Sequence, residues 1–204
     1  MNTGVPALLV LAWGNPSRGD DALGPLLAER LLAQAEVASC SDRVEVLTVF
    51  QLQVEHALDL VDRERILFVD AALDLAAPFT VHSLRPARGG GIGSHALAPE
   101  AVLQVYQDLL GHPPPPAMLL AIRASAFDLG TAPGVQALAD LEQAFTWARR
   151  PLRGPAVGCK AHTPLKRSPH ERSLAAIGRL RRLQHVTAVR RHHRLPGPPA
   201  RRGH

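Results

Sequence analysis

The strongest constraint on the fold is a repeated change of hydrophobic period along residues 7–148. Short apolar runs recur at ALLVLAW (7–13), VEVLTV (44–49), ILFVD (66–70) and AMLLAIRA (117–124), and each reads as a strand. ILFVD has the composition of a strand covered on both faces. Between these runs lie helical patterns. They are DALGPLLAERLLAQ (21–34), with Leu23, Leu26, Leu27 and Leu31 on one face, then VEHALDLV (54–61), PEAVLQVYQDLL (99–110), which opens on Pro99, and GVQALADLEQAFTWAR (134–149). A weaker run, FTVHSL (79–84), reads as an edge strand. Such alternation predicts an α/β fold: a three-layer α/β/α sandwich around a twisted, mostly parallel five-stranded sheet.

The pattern stops near residue 150, and the charge changes sign there. Residues 1–148 hold 8 Lys+Arg and 17 Asp+Glu, a net of −9; residues 149–204 hold 15 and 1, a net of +14, and together they give the +5 of the whole chain. The chain therefore divides into a domain over 1–150 and a basic Pro/Arg/His-rich tail over 151–204, expected to be mostly disordered. Within the tail only SLAAIGRLRRLQHV (173–186) has the pattern of an amphipathic helix. Its charge would suit nucleic acid or an anionic surface, but it lacks aromatic interleaving and any recognised module, so nucleic acid is not an expected partner. An extension without a role, or out-of-frame translation of GC-rich coding sequence, are the competing explanations.

With 46% apolar residues the chain can build a real core. No run reaches the ~18 apolar residues of a membrane span. The opening MNTGVPALLVLAWGN has no basic n-region, and Cys40 and Cys159 form no metal-type pair. A cytoplasmic protein is expected.

Where the first apolar run hands over to a helix stands WGNPSRGDDALGP (13–25), with adjacent acids Asp20 and Asp21. An acid at a helix start contributes roughly 0.5–2 kcal/mol. That accounts for one of them, and Asp20 is read as the cap. In open α/β sheets ligands bind beyond the C-terminal ends of the strands, where the connections diverge to opposite faces. Asp21 falls at such a place. So does Asp70, read as the last residue of ILFVD, where a carboxylate costs less than inside a strand. His95 lies in the glycine-rich loop GGGIGSHAL before the helix at Pro99. Two carboxylates and an imidazole in one crevice describe a divalent-metal site with open positions, suited to Ni²⁺, Zn²⁺, Mn²⁺ or Fe²⁺, and spacing does not choose among them.

Other chemistries find no footing. The glycines of WGNPSRGDDALG do not form G-x-G-x-x-G, no G-x-S-x-G elbow exists, and neither cysteine has a histidine partner in its motif context. His56 reads as a surface or packing residue. Asn15 reads as a loop-shaping side chain, and Gly14 and Gly24 as places of close backbone approach.

AWGNPSRGDDALG resembles the G-x-G-N-x-x-x-x-D-[DE]-x-x-G opening of the hydrogenase maturation proteases, endopeptidases that trim the C-terminus of the large subunit of [NiFe] hydrogenases. ILFVDAA is similar to their second motif, a strand ending in Asp-Ala. SHALAPEAVLQVY is similar to their third, a histidine followed by a helix. The motifs keep the family's order, over about residues 7–148. GDDALGPLLAERL and QVEHALDLV resemble the branch that serves NAD-reducing, bidirectional hydrogenases. Two departures stand out: Ala12 replaces the first glycine, and Asp21 stands where many members have Glu, one methylene longer.

The resemblance implies that Asp21, Asp70 and His95 occupy the family's metal-binding positions and carry catalysis. The metal it implies is nickel belonging to the substrate, a [NiFe] hydrogenase large-subunit precursor, so no permanently bound metal is required. The three side chains would engage that nickel and fix the scissile peptide beside it, and Asp21 or Asp70 would take the proton of the attacking water. A monomer is the expected state. The non-enzymatic alternative is a nickel-dependent docking protein that holds the precursor without cutting it.

Overall fold

In the computed structural model, which describes residues 5–37, 43–88 and 97–150, LLVLAW forms strand β1 (Leu8–Trp13), and its four inner residues are all buried. Burial on both faces explains why this run is apolar without alternation. Four further strands, β2 (Val44–Val49), β3 (Arg65–Ala72), β4 (Phe79–Leu84) and β5 (Ala117–Arg123), complete a sheet in the order β2-β1-β3-β5-β4. The pairs β1–β2, β1–β3 and β3–β5 are parallel, and β4 runs antiparallel to β5 at the edge. As an edge strand, β4 contains no fully buried residue.

Helices cover both faces. Helix α1 (Leu23–Val37) and helix α3 (Val135–Ala148) set Leu23, Leu27, Leu31, Leu141 and Ala144 against Val10, Leu67, Val69, Leu120 and Ile122. On the other face, helix α2 (Pro99–Leu110) and a 3-10 helix at Val54–Leu60 bring Val102, Leu103, Tyr106 and Leu60 against Leu9, Leu11, Ile66 and Phe68. The layers are thus α/β/α, as the alternation of periods predicts. Among the described residues no helix is long and apolar enough to cross a membrane.

Three boundaries differ from the sequence reading, each for a physical reason. The helix expected from residue 21 is preceded by a separate 3-10 turn, Gly19–Ala22, and Gly19 takes the left-handed φ of 53° that starts it. The segment expected as a short helix over 54–61 is 3-10 rather than α. Strand β3 does not stop at Asp70. β5 accompanies it further, pairing Ala71 with Ile122 and Ala72 with Arg123, whereas its ladder with β1 ends at Ala12 and Val69. Asp70 therefore lies just past the end of the β1–β3 ladder. The connection leaving β1 leads through α1 to β2 on one side, while β3, β5 and β4 lie on the other. The gap between the C-terminal ends of β1 and β3 is the switch point of the sheet.

The tail over 151–204 and its expected amphipathic helix lie outside the described residues.

Candidate functional site

The loop leaving β1 folds back onto its own strand, and two glycines permit it. A Cβ on Gly14, whose φ is 140°, would stand 2.0 Å from the Asp21 carbonyl oxygen, and one on Gly24 would stand 2.3 Å from that of Trp13. Any larger residue at either position would push the turn apart. Asn15 shapes the bend: its Oδ1 accepts the Ser17 N–H at 2.9 Å, an Asx turn. Its own N–H donates to Asp21 Oδ2 at 3.0 Å and so orients that carboxylate.

Asp70 arrives from the neighbouring strand. By strand alternation it shares the α2 face with Ile66 and Phe68. Burial, the largest cause, pushes its carboxyl up to about 7, and the negative charge of Asp21 pushes in the same direction. The Ala71 N–H, at 2.8 Å, and the Trp13 indole N–H oppose the rise by donating to it. The structure thus brings Asp21 and Asp70 into one electrostatic neighbourhood at the switch point. Two carboxylates, Asp70 half-desolvated and disfavoured by the charge of Asp21, are a donor set that a divalent cation would relieve.

His95 lies among residues 89–96, outside the described residues. Among the described residues no group of three His, Cys, Asp or Glu comes together that could hold a metal ion. Cys40 and Cys159 are likewise outside them.

One expectation needs correction and another is narrowed. Asp20 does not cap its own helix: the turn it sits in has no side-chain cap, and its carboxylate accepts N–H groups of Ser125, Ala126 and Gly134 instead. Of the two readings of His56, surface or packing, the structure selects packing. This residue is 3% exposed, and its Nδ1 accepts the Gln53 N–H at 2.8 Å in a capping box at the start of the 3-10 helix.

Trp13 is the residue that sequence reasoning missed. It ends β1 on the same face as Leu9 and Leu11, beside Asp70, and its ring meets Phe68 edge-on at 6.1 Å and 72°. The signal was present in the alternation of β1, but it becomes visible only with the β1–β3 register.

No protein-family model matches the chain, and no curated protein matches it by sequence. Likeness in three dimensions is clear. The [NiFe] hydrogenase maturation protease HycI from Thermococcus kodakarensis KOD1 matches with a TM-score of 0.57 and 20% identity, over 74% of this chain and 96% of that one. The hydrogenase maturating endopeptidase HybD from E. coli matches with a TM-score of 0.54 and 19% identity, over 72% and 91%. The HybD maturation protease from Thermococcus kodakarensis matches with a TM-score of 0.50 and 24% identity, over 72% and 99%. At these identities the likeness establishes the fold: the described domain has the architecture of these three proteins.

Proposed function

We propose that this chain is a hydrogenase maturation endopeptidase, which removes the C-terminal extension of a [NiFe] hydrogenase large-subunit precursor once nickel has been inserted. The observation that carries this is the meeting of Asp21 and Asp70 at the switch point of a sheet with the fold of such proteases. It agrees with the three motifs read from the sequence, the third of which supplies His95.

The cation that relieves the two carboxylates is the nickel of the precursor, engaged by Asp21, Asp70 and His95, so the protease itself needs no resident metal. Engagement fixes the scissile peptide against the site. Water adds to its carbonyl carbon, Asp21 or Asp70 takes the proton, and the proton passes to the leaving amine as the C–N bond breaks. Recognition and cleavage then depend on the same side chains, which makes an unloaded precursor a poor substrate.

The test is to incubate the purified protein with nickel-loaded and nickel-free precursor and to measure the mass of the large subunit. Loss of a C-terminal peptide from the loaded form alone is expected. Binding that requires nickel without any mass loss would make the chain a docking protein, and equal cleavage of both forms would remove the recognition role.

A further inference from the structure

We infer that Asp20 is a positioning residue for this site: it clamps the loop carrying Asp21 to the connection between β5 and α3, and so holds the Asp21 carboxylate beside Asp70. The inference deepens the proposed function and rests on it for its catalytic consequence.

The clamp is dense and reaches far along the chain. Asp20 is 2% exposed. Its Oδ2 accepts the N–H groups of Ser125 at 2.7 Å and Ala126 at 3.2 Å, and its Oδ1 accepts that of Gly134, the residue before α3, at 2.8 Å. Its own N–H donates to the Ala126 carbonyl at 3.0 Å. Neighbours on both strands of the contact add to it. Gly19 N–H donates to the Thr131 carbonyl at 3.1 Å, Gly130 N–H to that of Ser17 at 2.7 Å, and Arg18 Nε to that of Phe127 at 3.3 Å.

Among the described residues, Asp21, the next residue, makes hydrogen bonds inside the loop: its N–H donates to the Arg18 carbonyl and its carboxylate accepts the Asn15 N–H. From its C-terminal side Asp21 is anchored by the packing of Ala22 and Leu23 in the core; on its N-terminal side the hydrogen-bonded hold on the loop passes through Asp20 and its neighbours. The 3-10 turn explains why two acids stand together. With about three residues per turn, successive side chains diverge by roughly 120°, so one carboxylate enters the protein while the other faces the crevice. Asparagine cannot replace the inner one. It offers a single acceptor oxygen and turns an NH₂ group toward backbone N–H donors.

The experiment compares the full chain with Asp20→Asn and with Asp20→Ser, the smaller side chain serving should the first variant fail to fold. Amide exchange is followed by NMR, and cleavage of nickel-loaded precursor is measured as kcat and KM per folded molecule. The expected result is exchange at Asn15, Ser125 and Gly134 at least about 10-fold faster. It is accompanied by a kcat about 10- to 100-fold lower with KM within about 3-fold, as misplacement of a reacting group produces. Unchanged exchange and chemical shift at Asn15 would overturn the inference whatever the activity. Faster exchange with an unchanged kcat would overturn it too, leaving Asp20 a purely structural clamp. Should the native chain fail to cleave, the proposed function falls, and the Asn15 amide alone decides whether Asp20 holds Asp21.

Discussion

The two ends of the sheet both remove a charged side chain from water, and they treat it in opposite ways. At the N-terminal end the Arg63 side chain is fully buried, and each nitrogen of its guanidinium finds an acceptor. Nε donates to the Asp59 carbonyl at 3.1 Å, one terminal nitrogen to the Pro6 carbonyl at 2.8 Å, and the other to Glu45 Oε2 at 2.5 Å. At the C-terminal end Asp70 receives two N–H donors but faces a second carboxylate, and its charge is disfavoured. A compensated charge joins elements together; an uncompensated one would gain from a cation, as the proposed function requires. On the proposed function the first arrangement serves stability and the second serves binding, although both residues flank or lie on β3.

Substitutions at the two ends should therefore separate cleanly. Asp70→Asn is expected to lower kcat/KM on nickel-loaded precursor by about 10³-fold or more, with the circular dichroism spectrum of the folded protein retained. His95→Ala should do the same. Retained cleavage in both variants would end the contrast, because the C-terminal end would then carry no chemistry. Arg63→Met should do the reverse. Leaving Glu45 without its partner costs about 3–5 kcal/mol and lowers Tm by about 10 °C, while kcat per folded molecule stays within about twofold. Thermal melts and initial rates on the same preparations decide it.

What the sequence discloses of this contrast depends on how local each signal is. The class and layers of the fold follow from periods that change within a few residues, and Pro99 marks the start of α2 in the chain itself. Asn15, Gly14 and Gly24 were legible for the same reason, since a tight turn states its needs locally. Asp20 was not. Its partners lie 105, 106 and 114 residues away, and an acid beside a helix start looks the same whether it caps that helix or fastens a distant loop. Trp13 required the register of β1 on β3, which no local pattern encodes. The extension of β3 past Asp70 depends on β5, a strand supplied from much later in the chain.

The disfavoured charge on Asp70 also sets a pH dependence. Its carboxyl titrates near the ordinary value of 3.8 when unfolded and at about 7 in the fold, so between these values the folded state binds more protons. Stability contributed by this group is then complete below about pH 4, declines as pH rises, and is exhausted above about pH 7. The full shift corresponds to at most about 4 kcal/mol, and the half-buried position reduces this to about 2 kcal/mol. Asp70→Asn removes the dependence. Relative to the native chain it should be close to neutral at pH 4 and stabilising by about 2 kcal/mol at pH 8, measured by urea unfolding without metal. Parallel stability profiles for the two proteins would show that the C-terminal end is as well compensated as the N-terminal one.

The finest test removes one atom group and keeps the packing. Trp13→Phe preserves an aromatic ring against Phe68 but deletes the indole N–H that donates to Asp70. That donor favours the charged carboxylate, so its loss should push the Asp70 carboxyl above its present value of about 7. A hydrogen bond to a charged group contributes about 1–2 kcal/mol. Cleavage at neutral pH should accordingly fall by about 5- to 10-fold, and the deficit should shrink as the pH is raised and the carboxylate is restored. An equal deficit at every pH would mean that Trp13 acts on the shape of the crevice rather than on the charge of Asp70. The two ends of the sheet would then differ in what they leave unpaired but not in how the neighbouring strand tunes it.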